Sequence, residues 1–91
     1  MSEEQPASER IAVIWSPEAH ADLRAIERDT ALQILRCVGR YLANRNGDVK
    51  KLKPPLTGFR LRCGDHRMFF DFRAGNMIEI TSVRNRREAY R

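Results

Sequence analysis

Lys51-Leu52-Lys53 sets two amines two residues apart, and Arg60-Leu61-Arg62 repeats the spacing with guanidinia. In extended backbone, residues two apart point to the same side. Each pair is therefore expected to present a double cation, with Leu52 and Leu61 turned to the core. Arg67 is expected outward on the adjacent strand. Arg84, Arg86, Arg87 and Arg91 follow near the C-terminus with Tyr90 among them. Guanidinium forks grip phosphates, and an aromatic ring stacks on a splayed base. The same groups suit RNA cleavage without a metal. That reaction removes a proton from a 2′-hydroxyl, stabilises charge on a five-coordinate phosphorus and protonates the departing 5′-oxygen. Cations serve the second task. A lysine whose pKa is lowered by neighbouring cations, or His66, serves the proton transfers. Tyr90 can donate a hydrogen bond, orient the nucleophile or stack. Each residue also has a plainer role. Lys51 and Lys53 can simply be solvated, Arg60 and Arg62 can pair with Asp65 and Asp71, His66 can be a hairpin residue, and Phe69 can pack.

Other chemistries find little support. Two His and two Cys without close ligand spacing argue against a metal site. No Gly-rich phosphate loop occurs, nothing suggests a Ser-His-Asp set, and no cofactor is expected. Cys37 and Cys63 sit in different predicted elements and are expected as buried free thiols, with a disulfide as the alternative. The longest apolar runs, at Ile11–Trp15 and Met68–Phe70, are far too short for a membrane span, and residues 1–10 carry no apolar leader segment. A cytoplasmic protein without membrane contact is expected, with residues 1–10 a flexible tail and 11–91 a single domain.

Charge is unevenly spread. Residues 1–49 hold six basic and eight acidic side chains, whereas 50–91 hold eleven and four. A half with net charge +7 attracts polyanions.

The positioning elements follow from patterning. Ile11–Trp15 reads as a strand. Ser16 caps a helix with Pro17 at its first position and Glu18 near its positive end. Ala19, Leu23 and Ile26 form the apolar stripe of that helix, which is expected to end near Arg28. A second helix is expected over 30–45, with Thr30 and Gln33 as a capping box, Ile34, Leu35, Val38, Tyr41 and Leu42 inward, and Gly47 left-handed at its stop. Residues 48–52 hold a short extended piece, and Pro54-Pro55 demands a loop. Alternation then predicts strands over 59–63, 66–72 and 77–83, joined by turns at Gly64-Asp65 and Ala74-Gly75-Asn76. The expected class is α+β: an N-terminal strand, a helical hairpin, then an antiparallel meander sheet packed against the helices, with the far sheet face free for ligand.

The order and spacing of several segments resemble the RelE/ParE superfamily of toxins from bacterial type II toxin–antitoxin systems. They are Ile14–Ala19, Gly47–Leu52, Phe59–Phe70, Ile78–Ile80 and Val83–Arg91. The resemblance implies a RelE-like fold. It further implies a toxin closer to the RelE-like messenger RNA interferases, which cut messenger RNA in the ribosomal A site by 2′-hydroxyl attack. Matched by motif, the catalytic set would be Lys51, Lys53, Arg67, Arg86 and Tyr90. Arg60, Arg62, His66, Arg84, Arg87 and Arg91 would contact messenger and ribosomal RNA. The implied partner is a cognate antitoxin, acidic or amphipathic, drawn to the basic face. His66 stands where the family often has an aromatic. The alternatives are a ParE-like inhibitor of DNA gyrase and an inactive nucleic-acid-binding module of the same fold.

Overall fold

A computed structural model describes residues 11–85. In chain order these form β1 (Ala12–Trp15), α1 (Pro17–Arg24), α2 (Arg28–Asn44), β2 (Asp48–Lys51), β3 (Phe59–Cys63), β4 (His66–Arg73) and β5 (Met77–Asn85). The strands make one sheet in the order β1-β5-β4-β3-β2. The four C-terminal strands pair antiparallel as a meander, and β1 joins β5 in parallel. The expected α+β architecture is what forms.

Ser16 caps α1 as its type suggests: its Oγ accepts from Ala19 N at 3.0 Å. The helix stops at Arg24, four residues sooner than expected, because Glu27 starts the next one. The Glu27 carboxylate accepts from the backbone N–H groups of Asp29 and Thr30 and from the Thr30 hydroxyl. Those bonds, the Asp29 one foremost, hold its carboxyl below the usual range. Thr30 thus lies inside the helix instead of capping it.

Ile34, Val38 and Tyr41 of α2 meet Leu61, Met68, Phe70, Ile78, Ile80 and Val83 from one sheet face. Leu35, expected in this stripe, is exposed. At the helix stop the left-handed residue is Arg45, with φ 64°, and Gly47 has a different task. A Cβ at Gly47 would stand 2.7 Å from Cδ1 of the buried Leu61. Glycine there lets the backbone entering β2 come close to the core. The Gly64 turn does need positive φ, at 62°, and it sets Arg62 directly opposite Arg67.

The cysteines are a correction. Cys37 of α2 and Cys63 at the end of β3 are joined as a disulfide, 26 residues apart in sequence. The buried faces of α2 and the sheet bring their Cα atoms to 6.0 Å, a proximity that sequence separation conceals. The bond locks helix to sheet at one end of the core.

Two stability experiments follow. Replacing both cysteines by serine, or adding reductant, is expected to lower the unfolding free energy by about 3 kcal/mol on the loop-entropy account; an unchanged denaturation midpoint would exclude a formed bond. Gly47→Ala is expected to cost about 1–3 kcal/mol by overpacking Leu61, whereas Gly39→Ala, with nothing within 4 Å, should be neutral or stabilising. Urea titration of both glycine variants makes the comparison.

Candidate nucleic-acid interface

The sheet face opposite the helices is organised by strand register. Residues paired across strands share a face and stand about 5 Å apart. One row runs Lys50, Arg60, Phe69, Ser82, and the next runs Asp48, Arg62, Arg67, Arg84. Four arginines and a lysine therefore occupy two adjacent rows, with the half-buried Phe69 ring among them.

The burial of these groups differs. Arg67, expected outward and exposed, is on the outward face but only 4% exposed, and it is the one buried charged side chain among the described residues. Its Nη1 donates to the His66 carbonyl at 3.4 Å. A buried guanidinium held this way is a fixed part of the wall, with little rotamer freedom left to lose on binding. Arg60 is half-buried, and its Nη1 is buried with no hydrogen-bond partner among the described residues. A buried guanidinium N–H left unpaired costs free energy that an anion oxygen would recover. Arg62 is exposed beside Arg67.

Arg84 stands apart. Its Nη2 lies 2.6 Å from Glu18 Oε2 and its Nη1 lies 3.5 Å from Asp22 Oδ1. These carboxylates sit on α1, which covers the part of β5 that the four-residue β1 cannot reach. Ser16 N donates to Ile80 O, Ser16 Oγ to Thr81 O, and Val83 N to Asp22 Oδ2 at 2.9 Å. Arg84 is thereby committed within the fold.

The lysine pair is divided from the arginine face. Lys51 pairs with Phe59 and Val49 with Leu61, so Lys51 shares the helix-side face. The parity of β2 is set by Val49 packing on the core, not by Leu52. Lys53 lies past the strand, before a cis Pro54-Pro55 peptide. Both lysines are exposed. Lys50, which the sequence did not single out, is the lysine opposite Arg60. The signal available was Val49: taking it as the inward residue of β2 turns Lys50 outward. His66 pairs with Cys63 and Asn85 on the helix side, away from Arg67. Arg86, Arg87, Tyr90 and Arg91 lie outside the described residues.

The structure therefore unites Arg60, Arg62, Arg67 and Lys50, and separates Lys51, Lys53 and His66 from them. Among the described residues no group of three or more His, Cys, Asp or Glu could hold a metal, and no helix is long and apolar enough to cross a membrane.

Comparison with known proteins bears on this arrangement. Residues 13–90 match the family model of the ParE toxin of the type II toxin–antitoxin system parDE. No curated relative matches the chain. Among solved structures, the chain is similar to a chain of the toxin–antitoxin complex RelBE2 of Mycobacterium tuberculosis, at 22% identity and TM-score 0.72, covering 85% of this chain and 99% of that one. It is also similar to the YoeB dimer of Staphylococcus aureus, at 26% identity and TM-score 0.63 over 80% and 93% of the two chains. The chromosomal ParDE system of P. aeruginosa follows at 18% identity and TM-score 0.52, over 85% and 97%.

Asp22 offers a test of how this face is held. Asp22→Ala removes the acceptor for Val83 N–H and one partner of Arg84. It is expected to cost about 1–3 kcal/mol. Glu18→Ala, which breaks only an exposed ion pair, should cost under about 1 kcal/mol. Denaturant unfolding that ranks the two the other way would place the anchor in the ion pair and not in the edge hydrogen bond.

Proposed function

The chain belongs to the ParE toxin family of type II toxin–antitoxin systems, and we propose, from its arginine face and not from the family match, that it is a ribosome-dependent messenger RNA endonuclease held in check by a cognate antitoxin. The observation that carries this reading is the buried, unpartnered Nη1 of Arg60 on a face shared with Lys50, Arg62 and Arg67. A phosphodiester is the ligand such a face is short of. Lys50, Arg60 and Arg62 put like charges on one face, and a bound anion relieves their repulsion.

The proposed reaction is an attack by a ribose 2′-hydroxyl on its neighbouring phosphorus. The oxygen–phosphorus bond forms as the 2′-hydroxyl proton passes to water and the bond to the departing 5′-oxygen breaks; that oxygen takes a proton from water, leaving a 2′,3′-cyclic phosphate and a 5′-hydroxyl with no net proton gained or lost. Negative charge grows on the non-bridging oxygens, and Arg60, Arg62 and the fixed Arg67 are placed to offset it. Lys50 is the nearest amine by register for binding the hydroxyl or the leaving oxygen. Phe69 offers a stacking surface between the cations. Arg86 and Tyr90 complete the set in this proposal, on the strength of the motif at 83–91. Lys51, on the helix side of β2, and Lys53, in the loop past it, are assigned to ribosomal or antitoxin contact. A toxin–antitoxin complex is the form in which relatives of this fold from Mycobacterium tuberculosis and Methanococcus jannaschii are found, and an acidic antitoxin segment across the arginine face would deny it to RNA.

A second reading, inhibition of DNA gyrase, is favoured by the match to the ParE family model and by one feature of the site. The lysines matched to the nuclease motif and His66 both sit away from the arginine face, which leaves few proton-transfer groups on it.

Translation in a purified system with mapping of messenger RNA ends separates the two. Cleavage in the presence of ribosomes is expected, and Arg60→Ala should slow it about 10²-fold or more while leaving the thermal midpoint near that of the wild type. Lys51→Ala should change the rate much less than Lys50→Ala. Intact messenger RNA together with gyrase-dependent DNA breaks would replace the nuclease reading by the gyrase one.

A further inference from the structure

A second basic site lies on the other side of the sheet. Between α2 and the β3–β4 hairpin is a cleft of about 650 Å³. The Cys37–Cys63 disulfide lines it, and Arg36 and Arg40 come from one turn of α2 to the next along its rim. His66 and Asn85, paired across β4 and β5, stand opposite. Arg62 contributes where the hairpin bends, and Asp65 is the only carboxylate among the described residues of the lining. Three arginines stand against one aspartate among the described lining residues. Arg36 and Arg40 are exposed, and neither guanidinium has an ion pair or hydrogen bond among the described residues.

We propose that this cleft is a second binding site for single-stranded RNA backbone, continuous with the arginine face around the β3–β4 turn. The inference rests on the RNA reading above and extends it to α2. Continuity comes from the sequence order at the hairpin. Arg62 and Arg67 are the face residues nearest the turn, and each is one residue from a cleft residue, Cys63 or His66. A chain bound across Arg67 and Arg62 needs only to pass Gly64-Asp65 to reach Arg36 and Arg40. The cleft suits an extended polyanion better than a docked protein helix. Such a helix needs apolar anchor pockets, and the one aliphatic lining residue, Ile34, is 1% exposed. All the permanent cations are arginines, whose planar forks match phosphate. The disulfide holds the two walls at a set distance, so the site is formed before the ligand arrives.

The test uses the full chain and 2′-O-methyl RNA, which lacks the attacking hydroxyl and so reports binding alone. Anisotropy is followed against salt for a labelled dinucleotide and for a single strand of about 12 nucleotides, within the span one small domain can track. The double variant Arg36→Gln/Arg40→Gln, at two exposed positions, should fold as the wild type does. For the longer strand its affinity should fall about tenfold at low salt, and the slope of log K against log salt should flatten by about 1.4, the amount for two phosphates released. Dinucleotide binding, which engages only the arginine face, should be unchanged. An unaltered slope for the long strand, or equal losses on both lengths, would overturn the proposal while leaving the RNA reading standing. So would a variant that binds RNA normally but loses affinity for its antitoxin, which would give the cleft to an acidic protein segment. A wild-type chain that binds neither length would overturn both.

Discussion

The exposed edge of β5 is the constraint around which the molecule is arranged. This strand is nine residues long and sits inside the sheet, yet its outer neighbour β1 has only four. Beyond Ile80 the edge of β5 has no strand partner, and where it is covered by the fold its polar groups must be paired, since buried backbone does not tolerate unpaired ones. The chain meets the demand by turning at Ser16 and laying α1 along the remaining edge. Ser16 satisfies the Ile80 and Thr81 carbonyls and Asp22 satisfies Val83 N–H. One short helix thus closes the sheet, and its own N-cap is the residue that begins the closure.

That closure also sorts the arginines. Glu18 and Asp22 are brought to Arg84 because α1 is needed at the edge, and Arg84 is neutralised there. Toward β2 and β3, Lys50, Arg60 and Arg62 cluster beside Arg67 and form no ion pair among the described residues. Within this cluster the groups differ in freedom: Arg67 is built into the wall, Arg60 is half-buried with an unmet donor, and Arg62 and Lys50 are exposed. A rigid inner cation flanked by adaptable outer ones is an arrangement suited to holding a phosphate in one place while a flexible strand settles around it.

A single irregularity decides which way the end of β5 faces. Met68 pairs with Val83 and Phe70 with Ile80, so one extra residue, Thr81, is accommodated opposite the Phe69–Phe70 step. Thr81 Oγ1 donates to the Phe69 carbonyl at 3.1 Å and stabilises the bulge. Strict alternation from Ile78 and Ile80 would put Ser82 and Arg84 in the core. The bulge reverses the parity, seats Val83 in the core and brings Arg84 beside Arg67. The odd spacing Ile78, Ile80, Val83 is the trace of this event in the sequence.

The cation pairs Lys51/Lys53 and Arg60/Arg62 are therefore only partly what their spacing suggests. Local patterning determined the strands of the β3–β4 hairpin, the Gly64 turn, the outward direction of Arg60 and Arg62 and the cap at Ser16, because each depends on neighbours within a few residues. The order of motifs likewise carried the family. Val49 and Leu52 offered opposite parities for β2, and tertiary structure chose between them, exchanging Lys51 for Lys50, because Val49 meets Leu61 twelve residues away in sequence. Tertiary structure alone decided the burial of Arg67, the capture of Arg84 by α1 and the joining of Cys37 to Cys63. Each of these is a contact between segments far apart in the chain, and periodicity within a segment holds no information about what the segment will be packed against.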